Sequence, residues 1–318
     1  MTLHDQNGSV VVAVDAGGTK VLGALVRPDG SLVREHALPS RKDPGSQVTL
    51  RVVSALAASA AADGLTITGA GCGFPEYVRD GRLTAREVLD WTEQPGDLIA
   101  AALPGVPVTV ESDVRCGALA EARMGAGRGA RSVLYLSWGT GLSSTLVLDG
   151  VCVTGRRGEA IALGELGVPS EVDSRWRGNL ERYASGLGIA ERFAAMTGLA
   201  LPGAREVMAL LTPEADAAGA AAAREVVKSA GLAVGTVASW LVSLLDPDVV
   251  VLGGGLGTSG SVVTAIAAER FTALNARRPC GPPMLPAALG SRAGLLGAAL
   301  TALDGCGEPA SRPTGGPL

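Results

Sequence analysis

Three glycine-bearing turns in this chain have the residue types to hold a polyphosphate, and a carboxylate between the first two could act on an alcohol. The turns are Asp15-Ala16-Gly17-Gly18-Thr19-Lys20, Gly139-Thr140-Gly141 and Gly253-Gly254-Gly255. Without a Cβ, backbone N–H groups at such turns can approach a phosphate closely and point at it. Each turn follows an apolar run: Val10–Val14, Val133–Leu136 and Val249–Leu252. A tight hairpin uses the same residues, so it is their recurrence after apolar runs that points to a nucleotide held between two halves of a molecule. Glu111-Ser112-Asp113 closes another apolar stretch, Val106–Val110, and Asp113 stands where a helix would begin. An aspartate there is either a helix N-cap or, kept ionised by the helix dipole, a general base for a hydroxyl proton.

These residues need strands and helices to present them. Val10–Val14, Val21–Arg27 and Ser31–Leu38 predict a three-stranded meander turning at Pro28-Asp29-Gly30, with a helix over Gln47–Ala62 behind it. Ile67–Gly73 and Val106–Val110 predict two more strands, and Asp113–Met124 a helix capped by Ser112 or Asp113. A second cycle opens at Ser132, with strands Ser132–Trp138, Leu142–Leu148 and Val151–Val153 and a hairpin turn at Asp149-Gly150. Helical stretches follow at Leu180–Thr197, Ala204–Leu211 and Ala215–Leu245. Next come a strand Asp248–Leu252, a helix Ser259–Leu274, a weak strand Met284–Ala288 and a closing helix Gly294–Leu303. One plan repeated predicts two lobes and a cleft that can close on its ligands. Residues 1–114 should form the N-terminal lobe, with helix 292–303 packing back on it, and 115–291 the C-terminal lobe. The Gly/Pro/Ser-rich stretch 304–318 reads as a disordered tail.

Bulk properties narrow the function classes. A chain of 318 residues can build two cores. Its net charge of −4 gives no electrostatic support to a nucleic-acid partner. The apolar run Ala230–Leu245 falls short of the roughly 20 residues a membrane span needs, and no signal peptide opens the chain; a cytoplasmic protein without a membrane partner is expected. The five cysteines show no C-x-x-C spacing, and the two histidines, His4 and His36, lie away from every turn. Imidazole catalysis and histidine-bound metals are therefore poorly supplied.

The six segments Asp15–Lys20, Glu111-Ser112-Asp113, Gly139-Thr140-Gly141, Gly164-Glu165-Leu166-Gly167, Tyr183-Ala184-Ser185-Gly186 and Asp246–Gly255 occur in the order found in a known family. Over about Val10–Leu303 the chain resembles the ROK sugar kinases of the actin/hexokinase/Hsp70 superfamily. The resemblance implies an α/β, two-lobe actin-like ATPase (ribonuclease H-like) fold, with a mixed sheet flanked by helices in each lobe. It implies ATP and Mg²⁺ as cofactors, a small sugar as partner and a homodimer. Asp15 would hold Mg²⁺ through water, and Gly17, Gly18, Thr19 and Lys20 would serve the phosphates. Gly139, Thr140 and Gly141 would cradle the phosphates from the other lobe, with Gly253, Gly254 and Gly255 against adenosine. Asp113 would be the catalytic base. Glu165 and Glu181 would accept hydrogen bonds from sugar hydroxyls, unless they are solvated surface charges.

Departures from the family pattern bear on the substrate. Val168 stands in place of the family's zinc-binding histidine, and no Cys or His lies between Leu166 and Gly186. Zinc needs about four nitrogen or sulfur ligands, so no zinc site is expected. Ser112 replaces the usual Asn beside the base, which implies a substrate-binding position with a shortened contact to the sugar's hydroxyls. Glu76 follows Gly71-Cys72-Gly73-Phe74-Pro75 where the family has glycine facing the sugar near its 3-position. A carboxylate in a dry pocket is costly unless paired. Either Glu76 pairs with the amino group of a substrate such as kanosamine (3-amino-3-deoxyglucose), as in kinases of antibiotic pathways, or it turns to solvent or pairs with Arg79 or Arg82. Other readings are a glucokinase or N-acylhexosamine kinase, a non-catalytic sugar sensor or actin-like ATPase, and a repressor of the same family. The repressor would need a helix-turn-helix ahead of Val10.

Overall fold

The computed structural model of the chain describes residues 8–40, 46–212 and 216–306. It divides into two compact units: residues 1–120, 156–159 and 292–318, and residues 121–155 and 160–291. The division falls inside a helix.

The first unit starts with β1 (Ser9–Ala16), β2 (Lys20–Val26) and β3 (Leu32–Pro39), an antiparallel meander. Helix α1 (Gln47–Ala62) covers it, and β4 (Thr66–Phe74) pairs with β1 in parallel. Two short strands, β5 (Val78–Arg79) and β6 (Arg82–Leu83), then α2 (Pro95–Ala102), precede β7 (Val108–Ser112). The main sheet has the order β3-β2-β1-β4-β7. Strand β1 lies at its centre, and Val10–Val14 are fully buried. That explains an unbroken apolar run with no alternation. Helix α3 (Asp113–Met124) leaves β7 directly.

The second unit repeats the plan. Strands β8 (Ser132–Trp138), β9 (Leu142–Leu148) and β10 (Val151–Cys152) form the meander. Helices α4 (Leu180–Ala184), α5 (Gly186–Thr197), α6 (Ala204–Ala209) and α7 (Ala217–Leu245) follow. Strand β11 (Val249–Gly253), the one-turn α8 (Gly254–Gly257), α9 (Val262–Asn275) and β12 (Met284–Pro286) complete it, in the sheet order β10-β9-β8-β11-β12. The side chain of Asp248 accepts hydrogen bonds from the N–H groups of Arg131 and Ser132, which ties the start of β11 to the start of β8. Finally α10 (Ala293–Cys306) packs Leu295, Ala298 and Ala302 onto Val11, Ala13 and Cys116 of the first unit.

Several elements depart from expectation. The stretch Leu180–Thr197 is two helices, because Ser185 is extended (ψ 167°) and caps α5 through its hydroxyl. Strands β5 and β6 and helices α2 and α8 were not foreseen. The first three are too short, and α8 too glycine-rich, to carry a periodic signal. Helix α7 is 29 residues long and apolar enough to cross a membrane by length and composition alone, unlike the shorter run read from sequence. Its Val226, Val227, Val234 and Val237 are instead buried in the second unit's core. The tail expected from 304 begins as the last turn of α10; residues 307–318, the expected helix start at 215, and His4 lie outside the described residues.

Candidate functional site

In the first unit, β1 and β2 bring Asp15 opposite Leu22 and close the first turn. The Gly17 N–H donates to the Lys20 carbonyl at 2.9 Å, so this N–H closes the hairpin and is not offered to a phosphate as expected. The exposed part of the turn is Gly18, Thr19 and Lys20. The Thr19 carbonyl accepts from the Ser40 N–H at 3.0 Å, which fastens the turn to the end of β3. Burial pushes the Asp15 carboxyl up to about 6 against the opposing pull of Lys20. A Cβ at Gly294 of α10 would come within 2.6 Å of Asp15 Oδ2. Glycine there leaves the carboxylate its place.

Asp113 opens α3. Its Oδ1 accepts the Val114 N–H at 2.7 Å, while Ser112 Oγ accepts the Arg115 N–H at 3.2 Å. Ser112 therefore caps the helix by the usual N-cap bond three residues on, which holds its hydroxyl near the backbone. Asp113 is pushed up to about 7, first by burial, then by the charge of Asp15, with a smaller contribution from Glu76. The expectation that the helix start keeps it ionised is corrected, since desolvation and a neighbouring carboxylate outweigh the N–H donor. A carboxylate titrating near neutrality is suited to take a proton from an alcohol.

Among the described residues no group of three or more His, Cys, Asp or Glu could hold a metal ion. A carboxylate beside a glycine turn has the donor chemistry Mg²⁺ accepts, since that ion prefers water and substrate phosphates to an all-protein cage. Asp15, next to the first turn, is a carboxylate of that kind.

Glu76 is 6% exposed, and its carboxylate accepts the N–H groups of Glu87 (2.9 Å), Val88 (2.8 Å) and Leu89 (2.9 Å). This corrects the alternative in which Glu76 turns to solvent or pairs with Arg79 or Arg82, and it supplies partners that the sequence reading did not expect. Glu76 does not turn outward, and Arg79 and Arg82 pair with Asp80 and Asp97 instead. Sequence reading missed Arg115. Buried to 4%, it bonds Glu111 Oε1 through Nε at 2.6 Å and the Val78 carbonyl at 2.6 Å, locking the strand end that carries Asp113. An arginine one turn from a carboxylate was the available signal.

In the second unit the turn between β8 and β9 closes with the Gly139 N–H on the Gly141 carbonyl at 2.9 Å, so Gly139 serves the hairpin. Thr140 and Gly141 are exposed. The N-terminus of α5 supports this turn, as the N–H groups of Gly186 and Leu187 donate to the carbonyls of Gly139 and Thr140 at 2.8 and 3.1 Å. Glu181 Oε1 accepts the Leu142 N–H at 3.0 Å and lies 2.6 Å from where a Gly141 Cβ would sit. It thus braces the turn. Glu165 is exposed and accepts from Asn179 Nδ2 at 3.4 Å.

The third turn is not a bare wall throughout. Gly253 is buried, and a Cβ on it would run into the Tyr135 ring. Gly254 has φ +79° against the Trp138 backbone. These two glycines answer to the fold; only Gly255 is exposed with nothing of the protein near its Cβ position.

The sequence profile of the ROK family matches residues 11–304. The chain is 30% identical over 312 residues to a glucokinase of Streptomyces coelicolor, covering 91% of this chain and 96% of that one. It is 30% identical over 292 residues to the bifunctional enzyme NanE/NanK of Brucella melitensis, covering 92% of this chain but 53% of that longer protein. Among solved structures, the ROK hexokinase from Thermus thermophilus superposes with a TM-score of 0.77 at 31% identity, covering 92% of this chain and 97% of the other. The ROK glucokinase from Streptomyces griseus, solved with glucose and AMPPNP, gives 0.67 at 25% identity, covering 92% and 99%. Six motifs in order, a doubled sheet plan and a profile match across nearly the whole length leave one conclusion: the chain belongs to the ROK family.

Proposed function

We propose that this protein is an ATP-dependent kinase that phosphorylates the 6-hydroxyl of a hexose. The observation that carries the reading is the pair Asp15 and Asp113 beside a glycine turn, both raised by desolvation, with the charge of Asp15 raising Asp113 further. Asp113 accepts the hydroxyl proton through the oxygen not engaged by Val114, and the alkoxide oxygen forms the new P–O bond as the bond to ADP breaks. In the first unit Gly18, Thr19 and Lys20 offer phosphate oxygens backbone N–H groups, a hydroxyl and an ammonium; in the second, Thr140 and Gly141 offer donors of the same kind and Gly255 leaves room for adenosine. When bound with the nucleotide, Mg²⁺ neutralises charge on the phosphates, and Asp15 orients its water shell. Glu165, and the oxygen of Glu181 turned away from Leu142, accept from ring hydroxyls. Binding groups placed this way select a polyol, because an analogue lacking a hydroxyl leaves a carboxylate unpaired.

The glucokinase relatives support a neutral hexose, and the NanK relative supports an N-acylated amino sugar. Three backbone donors satisfy the Glu76 carboxylate without a substrate cation, which weakens the case for kanosamine. A phosphorylation screen over glucose, kanosamine, glucosamine and N-acetylmannosamine, with product position read by NMR, tests the reading. Turnover of glucose at least tenfold above kanosamine in kcat/KM is expected. ATP hydrolysis unaffected by every sugar would overturn the kinase reading. The expected homodimer is carried as part of the proposal, on the exposed Trp240 (43%) and Leu244 (78%) of α7, and sedimentation velocity tests it.

A further inference from the structure

Glu76 sits on the segment leaving β4, and residues 84–91 form a loop without regular structure. Three successive N–H groups of that loop converge on one carboxylate, at 2.8–2.9 Å. Such a run of N–H groups is an anion-binding nest, and here the anion is the chain's own. On either side of the nest the loop is pinned by side chains, with Leu89 and Trp91 buried and Trp91 Nε1 donating to the Ala85 carbonyl at 3.0 Å. Val88, the middle residue of the nest, stays 40% exposed. Its Cγ1 comes within 3.4 Å of the place a Cβ would take on Gly18, at the tip of the first turn. A carboxylate, a loop and a phosphate turn are therefore in series within one unit.

We propose that Glu76 is a positioning residue for the nucleotide: by gathering the 87–89 N–H groups it seats Val88 against Gly18 and keeps the first turn in its phosphate-binding shape. This rests on the kinase reading and adds a role for a residue that would otherwise be assigned to the sugar. The physical reason is that a short glycine turn has little stiffness of its own, and an apolar side chain laid against it limits the conformations it can take. The carboxylate, once desolvated, is held by the three donors and releases them only at the cost of leaving buried polar groups unpaired.

The test uses the full chain and three variants, Glu76→Ala, Glu76→Gln and Val88→Gly. Hydrogen exchange read by mass spectrometry reports the 87–89 amides, and calorimetry reports the Kd for AMPPNP with Mg²⁺. Expected for Glu76→Ala are exchange of these amides about a hundredfold faster and AMPPNP binding about tenfold weaker. The kcat/KM ratio of kanosamine to glucose should stay within twofold. Glu76→Gln, which keeps one acceptor oxygen, should fall between wild type and Ala. Val88→Gly leaves the nest intact and should weaken AMPPNP alone, so it carries the test if Glu76→Ala does not fold. Unchanged AMPPNP binding in both Glu76→Gln and Val88→Gly, or a tenfold move of the sugar ratio toward glucose at constant AMPPNP affinity, overturns the proposal. Exchange and AMPPNP binding are measured without sugar. Loss of the sugar-kinase reading through inert sugars would therefore leave this test standing.

Discussion

At the scale of the residue, burial decides how Asp113 behaves. A carboxyl raised to about 7 is half protonated at neutral pH, so the kcat/KM of the kinase should fall below pH 7 with a slope approaching one decade per unit. Asp113→Asn keeps an acceptor for the Val114 N–H and removes the base. Its kcat should drop by about 10²–10⁴-fold, with the pH dependence lost; activity within threefold of wild type would remove Asp113 from the mechanism. The linkage to stability has a defined sign. The folded state holds this proton more tightly than the unfolded chain does, so the contribution of Asp113 to stability is fully present below about pH 4 and is lost as pH rises through 7. Asp113→Asn should therefore raise the melting temperature relative to wild type at pH 8 and leave it little changed at pH 4.5. Asp113 was legible in the sequence from its place after a strand and before a helix. Its titration was not, because the burial that raises it comes only with folding and the Asp15 charge that adds to it is some hundred positions away along the chain.

At the scale of the element, helix starts fasten the turns. Ser185 caps α5 by accepting the Gly188 N–H at 3.0 Å, and the same helix start holds the carbonyls of Gly139 and Thr140. Ser185→Ala should cost about 1 kcal/mol in denaturant unfolding and raise the KM for ATP several-fold while leaving that for the sugar nearly unchanged. A single helix over 180–197 was the natural reading of periodicity, since a cap in mid-pattern shows only when its partner strand turn is present. The segment 166–179, which lacks zinc ligands, is organised by side chains. Trp176 meets Tyr183 edge-on at 5.1 Å, Arg192 lies over the Tyr183 ring at 3.6 Å, and Asp173 accepts the Trp176 N–H at 3.2 Å. Dialysis against a chelator should leave the melting temperature unchanged, whereas Trp176→Ala should lower stability by about 1–3 kcal/mol, an edge-on aromatic pair plus its buried area. Unfolding by the chelator would contradict that account.

At the scale of the whole molecule, one sheet plan occurs twice, and each copy ends its leading hairpin in a glycine turn. Saturating AMPPNP at about 100 times its Kd should stabilise the protein by about 2.7 kcal/mol, measurable as a shift in the denaturant midpoint. The sequence alone determined the strands and turns of both copies, because unbroken apolar runs and glycine punctuation are local signals. It also determined the family, because six motifs keep their order whatever their spacing in space. Only the tertiary structure decided what individual groups are doing: that Gly17 and Gly139 use their N–H groups to close hairpins, that Gly253 and Gly254 are glycines for packing and φ, and that Glu76 is satisfied by a loop. Those outcomes depend on partners brought together by folding. A buried polar group takes whichever donor the fold supplies, and no pattern along the chain names that donor in advance.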